Sequence, residues 1–115
     1  MKSMQNLLRN LYEALNGIEN LECYHYEKAE DCSVPYAVWQ EDGEDSSFHA
    51  NNRKEEQNIA GTVDLFTKTE FDPLVDEVQE TLEGLGVTWS LNAVAYEDET
   101  KMIHYTWDWG VAFGG

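Results

Sequence analysis

Basic residues are scarce in this chain: seven Lys and Arg accompany 23 Asp and Glu in 115 residues, for a formal net charge of −16. A field of that sign repels phosphate, which excludes nucleic-acid binding through net charge. Cysteine is also scarce, because Cys23 and Cys32 are the only two, and this excludes a disulfide-rich scaffold. No apolar run approaches the roughly 20 residues of a membrane span, and no signal-peptide pattern is present. We therefore expect a soluble, intracellular protein without a membrane partner.

Apolar and aromatic residues are plentiful despite the charge. They include four Trp, six Tyr and four Phe, and the hydrophobic fraction is 42%. A chain of this length forms one domain and buries roughly two-thirds of the surface that it exposes when unfolded. The composition predicts a single packed domain over residues 1–115.

Hydrophobic periodicity predicts two helices. Apolar residues recur at helical spacing over residues 4–16, with Ser3 as an N-cap and Gly17 as the C-terminal stop. A second stripe begins after Asp72-Pro73, a cap followed by a first-turn proline, and it ends at Gly84 to Gly86.

Alternating polar and apolar residues predict about five strands. In the final strand Trp107 and Trp109 share a face with Ile103 and Tyr105, and we expect this face to meet the helices. The order α-β-β-β-α-β-β predicts an α+β fold, an antiparallel (mixed) sheet with both helices packed on one face. The predicted strands are Leu21–Glu27, Tyr36–Gln40, Ile59–Phe66, Val87–Tyr96 and Met102–Val111.

A long polar loop or arm is predicted at about residues 41–57. Loops of this length in compact domains are usually functional or disordered. We expect an interaction arm, because Phe48 and the cations Arg53 and Lys54, followed by Glu55, would give it anchors. The alternative is a disordered loop without a role.

The second helix is predicted to carry acids and no base. A helix face that is merely solvated usually mixes both signs of charge, so six acids without a base suggest a functional surface. The alternative is an ordinary solvated face whose carboxylates are placed favourably near the helix N-terminus. Both interpretations stay open at this point. The acids assigned to the helix are Glu70, Asp72, Asp76, Glu77, Glu80 and Glu83.

Residues with catalytic or metal-binding chemistry do not form a known motif. Cys23 and His25 lie two apart on a strand, and Cys32, His49 and His104 could join them only in space. No zinc-ligand spacing, nucleophile elbow or glycine-rich phosphate loop is present. We expect no metal, no cofactor and no enzymatic activity. A small hydrolase would require Cys23, His25 and His104 to converge.

The element order and several segments resemble the tail terminator, or tail completion, proteins of phages and prophages with long non-contractile tails. The likeness rests on the N-terminal amphipathic helix, PYAVWQEDGED, GTVDLFTKTEFDPLVDEVQETLE and the closing hairpin IHYTWDWGV. Related head–tail joining and minor capsid proteins share this order of elements and similar segments. The acidic segment EDGEDSSFHANNRKEEQN departs from it, being more charged than a buried contact usually is.

The resemblance implies a ring, usually of six subunits, that caps the tail tube and joins it to the head. Its partners would be further copies of the chain, the major tail tube protein and the head completion or connector protein. DNA would pass through without specific binding, and no cofactor would be involved. Such a protein would occur in the cytoplasm of the bacterial host during assembly and then in the virion tail.

The second helix is a candidate lining of that ring, because an acidic lumen repels DNA at every position. Its lumen-facing residues would be Asp76, Glu77, Glu80 and Glu83. The rival hypothesis is an acidic decoy that mimics DNA and inhibits a DNA-binding enzyme.

Overall fold

The computed structural model describes residues 3–44 and 56–114 and has the predicted order of elements. It confirms the α+β class and the five-stranded mixed sheet. The helices and strands are α1 (Met4–Asn16), β1 (Glu22–His25), β2 (Tyr36–Glu44), β3 (Glu56–Thr67), α2 (Leu74–Leu85), β4 (Thr88–Glu97) and β5 (Met102–Gly114).

The sheet has the strand order β1-β2-β3-β5-β4. Strand β1 runs parallel to β2, and the other neighbouring pairs are antiparallel. Strands β3 and β5 pair from Glu56 opposite Gly114 to Thr67 opposite Ile103 and form the centre of the sheet. The two edges are therefore unlike: β1 has four residues, whereas β4 has ten.

Capping residues explain where the helices begin and end. The Ser3 side chain accepts a hydrogen bond from the Asn6 amide at 3.3 Å, and Gly17 follows the last turn, so both predicted limits of α1 are confirmed. Helix α2 begins after Pro73, and Asp72 Oδ1 accepts from the Leu74 amide at 2.9 Å. Gly86 ends α2 with a φ of 76°, a left-handed conformation that glycine adopts readily.

Both helices cover the same face of the sheet. The side chains of Val63, Leu65 and Trp107 are fully buried there and pack with apolar residues of both helices. This confirms the alternation predicted for the final strand, in which Trp107 and Trp109 face the core. Neither α1 nor α2 covers the other face, and we call that side the open face. The helical residues in the core are Leu8, Leu11, Leu15, Leu74, Val78 and Leu82.

Gly61 permits close packing at the centre of the sheet. A Cβ atom at this position would lie 2.1 Å from the Gln40 carbonyl oxygen and 2.4 Å from Cζ2 of Trp109. Both distances are far below van der Waals contact. The Trp109 ring therefore occupies space that a side chain at residue 61 would need.

The edge strand β4 contains a bulge. Its register against β5 shifts between Leu91 and Ala93, so Asn92 is the extra residue. Leu91 lies opposite Trp107, whereas Val94 lies opposite Tyr105. The bulge therefore places Leu91 and Val94, three residues apart, on the same side of the sheet.

Several predicted limits differ in the structure. Strand β1 is shorter than predicted, and β5 extends beyond the predicted Val111 to Gly114. Both ends of the segment 41–57, expected to be a polar loop, belong to strands, because β2 extends to Glu44 and β3 begins at Glu56. The pairing of Glu41 with Gly61 and of Glu44 with Ile59 extends the ladder into a segment whose acidic residues favoured a loop. The acidic helix was also predicted too long, since Glu70 and Asp72 precede the first residue of α2. In the part of the chain that is described, no helix has the length and apolar character needed to cross a membrane.

Candidate functional surfaces

The first candidate is the acidic surface, which we define as Asp76, Glu77, Glu80 and Glu83 on α2. All four side chains are exposed. Asp76 and Glu77 occupy the first turn, where the positive end of the helix dipole favours carboxylates. Glu83 accepts a hydrogen bond from the Trp89 indole nitrogen at 3.0 Å. Within residues 3–44 and 56–114, no Lys or Arg forms an ion pair with any of the four.

Asp72 does not belong to this surface, contrary to the sequence-based assignment. Its side chain is only 8% exposed and accepts hydrogen bonds from the Thr67 hydroxyl, at 2.6 Å, and from the Leu74 amide. The carboxylate thus joins the end of β3 to the start of α2. Its role is structural, and the acidic surface has four members rather than six.

The second candidate is a shallow groove on the open face. Its volume is about 350 Å³, and Lys28, Tyr36, Phe66 and His104 are among its lining residues. The Phe66 ring lies between Tyr36, at 4.8 Å, and His104, at 4.1 Å between centroids. Because these rings face one another, they offer no free faces between them on which a planar ligand could stack.

His104 is held by a carboxylate on this face. Its Nε2 lies 2.7 Å from Oδ1 of Asp64, and the Thr106 hydroxyl donates to the same oxygen at 2.8 Å. A nucleophilic relay requires the nucleophile and the carboxylate to meet different nitrogens of the histidine. Here Thr106 lies near the nitrogen that already meets Asp64, at 3.3 Å. The arrangement therefore links β3 to β5 without forming a relay.

The thiol of Cys23 is placed for packing. It is buried beneath α1 and donates to the Leu15 carbonyl oxygen at 3.2 Å. Burial raises the pKa of the Cys23 thiol to about 12, so the reactive thiolate is not formed at neutral pH. His104 lies on the opposite face of the sheet, on a strand separated from β1 by β2 and β3. The structure does not bring this cysteine and histidine together.

His25 has a carboxylate partner at the end of β1. Its Nε2 lies 2.7 Å from Oε1 of Glu41, whose other oxygen accepts from the Tyr26 hydroxyl. The His25 ring also stacks on Trp39 at 3.9 Å. Burial raises the pKa of Glu41, but the bonds from Tyr26 and His25 outweigh burial and leave the pKa below its ordinary value. This cluster ties the edge strand β1 to β2.

No three His, Cys, Asp or Glu side chains converge to hold a metal ion in the two described segments. The predicted arm residues Phe48, Arg53, Lys54 and Glu55 lie outside the described residues.

Sequence reasoning missed a third surface, formed by Leu91, Val94 and Tyr96. These side chains on the edge strand β4 are 44%, 53% and 59% exposed. We call them the apolar stripe. The absence of charge could have pointed to this surface, because residues 84–96 form the longest stretch of the chain without Asp, Glu, Lys, Arg or His.

Comparison with protein-family models and with curated proteins finds no match for this chain.

Proposed function

We propose that the chain is a structural protein of phage or prophage assembly, a tail terminator that forms a ring on the end of the tail tube and joins it to the head. The observation that carries the proposal is the acidic surface. Its four carboxylates are exposed to solvent on α2, and no Lys or Arg in the described segments forms an ion pair with them. A channel for DNA benefits from such a lining, because unpaired carboxylates repel phosphates.

Some carboxylates of the acidic surface also stabilise the fold, and this decides which of them are suitable for charge-reversal variants. The helix dipole favours Asp76 and Glu77, and Glu83 contacts Trp89, whereas Glu80 has neither role. Reversing Glu83 would therefore disturb a contact as well as a charge. Glu80 is the best position. Glu77 can be changed with it, because both side chains are exposed and neither carboxylate accepts a described hydrogen bond, but reversal of Glu77 also removes a charge that the helix dipole favours.

The first experiment concerns assembly. The purified full-length chain should form rings in negative-stain electron microscopy, and light scattering should give a mass of several subunits. The rival hypothesis, an acidic decoy of DNA, predicts a monomer or dimer that inhibits a nuclease or polymerase. A monomeric inhibitor would reject the terminator proposal.

The second experiment concerns the lumen. In phage particles that carry Glu77→Lys and Glu80→Lys, we expect DNA release to slow while the number of capped tails stays the same. A matched control carries the same charge change at exposed positions outside α2, Glu19→Lys and Glu99→Lys, and should release DNA normally. Normal release by the α2 variant would reject the assignment of the acidic surface to the lumen.

A further inference from the structure

We infer that Asp42 is a site of spontaneous isoaspartate formation, at which the folded chain modifies its own backbone. Aspartate and asparagine react in this way most readily when glycine follows, because a residue without a side chain lets its nitrogen approach the preceding Cγ. The sequence contains two such pairs, Asn16-Gly17 and Asp42-Gly43. The inference goes beyond the proposed function and does not depend on it.

The reaction requires no partner other than water. The Gly43 nitrogen attacks Cγ of Asp42 and forms an N–Cγ bond. The amide proton and the hydroxyl of the protonated carboxyl group leave together as water, and the product is a five-membered succinimide. Water then opens this ring, and opening at the backbone carbonyl leaves the chain running through Cβ and Cγ as isoaspartate. Nothing is oxidised or reduced, and the final mass equals the starting mass.

The local structure leaves Asp42 accessible. The register of β2 against β3 shifts between Glu41 and Gly43, so Asp42 is the extra residue of a bulge and has no partner across the ladder. Asp42 and Gly43 are both exposed. A residue without a cross-strand partner is held less firmly than its neighbours, and its backbone can therefore turn towards the geometry of the ring.

Gly43 leaves space around the reacting nitrogen. Its φ is 142°, in the region that favours glycine, and a Cβ atom at this position would have no heavy atom within 4 Å. The Gln40 amide donates a hydrogen bond to Oδ1 of Asp42 at 2.7 Å, which keeps the carboxyl group close to its own strand. The reacting groups are therefore adjacent, uncrowded and open to the water that completes the reaction.

Hydrogen bonds protect the other pair, at the end of α1. The Gly17 amide donates to the carbonyl oxygens of Glu13, at 3.1 Å, and Ala14, at 3.2 Å. The Asn16 side-chain amide donates to the Tyr12 carbonyl oxygen at 2.9 Å. Attack of the Gly17 nitrogen on Cγ of Asn16 would disrupt these bonds.

Burial on both sides keeps this last turn of α1 closed. Leu15 is fully buried, Ile18 is 8% exposed, and the Ile18 amide donates to the Leu15 carbonyl oxygen at 3.2 Å. Groups held in this way react only when the segment opens. In an unfolded chain Asn16 would react before Asp42, because a neutral amide resists attack less than a carboxylate does. The fold therefore reverses the order of the two pairs.

The test is a mass-spectrometric time course on the full-length chain at neutral pH. Trypsin places the two sites on different peptides, residues 10–28 and 29–53. Electron-transfer fragmentation distinguishes isoaspartate from aspartate, and deamidation of Asn16 changes the mass of its peptide. In the native chain, isoaspartate at residue 42 should accumulate at least fivefold faster than Asn16 deamidates, and in urea Asn16 should react first. A native chain without isoaspartate at residue 42, or one in which Asn16 reacts first, would overturn the inference.

Asp42→Asn gives the sharpest comparison, because the chain then carries two chemically identical pairs. Residue 42 should deamidate at least tenfold faster than Asn16 in the native variant, and within twofold of it in urea. Equal rates in the native variant would overturn the inference.

Asp42→Glu is the matched control for the chemistry. It keeps the charge and Gly43, but attack on the longer side chain would close a less favoured six-membered ring. This variant should remain unmodified at residue 42 under conditions in which the wild type forms isoaspartate. Modification of both at the same rate would show that the succinimide is not the intermediate and would overturn the inference.

Discussion

Asp72 offers a direct test of how the acidic helix is attached to the sheet. Replacing it with alanine removes two hydrogen bonds, one from the Leu74 amide and one from the Thr67 hydroxyl. Loss of a helix cap costs about 0.5–2 kcal/mol, and a buried donor left without its charged partner costs about 1–3 kcal/mol. Because one carboxylate serves both, we expect Asp72→Ala to lower the free energy of unfolding by about 2–4 kcal/mol, a large share of the total for such a domain.

Urea unfolding followed by tryptophan fluorescence measures this loss, since Trp39, Trp107 and Trp109 are buried and report on the core. The matched control is Asp76→Ala in the first turn of the same helix, which should cost about 0.5 kcal/mol because the side chain is exposed. A double-mutant cycle with Thr67→Val should give a coupling of about 1 kcal/mol or more. An Asp72→Ala variant as stable as the Asp76→Ala control would refute the structural role assigned to this carboxylate.

Three further predictions concern the core, the pH dependence and the thiols. Gly61→Ala should cost about 3 kcal/mol in thermal unfolding, because its Cβ would overlap Gln40 and Trp109, whereas Gly84→Ala, with open space around its Cβ, should gain about 0.5–1 kcal/mol. The folded-state pKa of Glu41 lies below its ordinary value of 4.5, so its stabilising contribution is present above that pH and is lost as the pH falls through the folded-state value. The difference in unfolding free energy between wild type and Glu41→Gln should therefore shrink below about pH 4.5, and a constant difference would contradict this. Iodoacetamide at neutral pH should label Cys32 and leave Cys23 unmodified until denaturant is added, as mass spectrometry can show; equal labelling of both would disprove the burial of the Cys23 thiol.

Local signals were sufficient to predict most elements of the fold. Helix α1 has the predicted limits because its cap, its apolar stripe and its stop lie within a few residues of one another. The end of α2 at Gly86 follows from the same kind of signal. The alternation around Trp107 also identified the buried face of β5, since a strand repeats every two residues.

Features that depend on pairing between distant residues could not be predicted. The extension of β2 to Glu44 depends on its pairing with β3, and the burial of Asp72 depends on Thr67 at the end of that strand. The partner of His104 is Asp64, forty residues earlier in the chain, and only the register of β3 against β5 brings them together. Composition predicted an acidic surface on α2, but it could not separate a structural carboxylate from the solvated ones.

The bulge in β4 has a consequence for how this edge tolerates changes in chain length. Because Ala93 and Val94 already pair with Thr106 and Tyr105, removal of Asn92 would leave every partner across the β4–β5 ladder unchanged. An ordinary single-residue deletion in a strand turns all following side chains to the opposite face. Here the deletion would restore regular alternation and remove only the local twist that a bulge adds. The hairpin thus contains one position at which the chain can be shortened without reassigning its inner and outer faces.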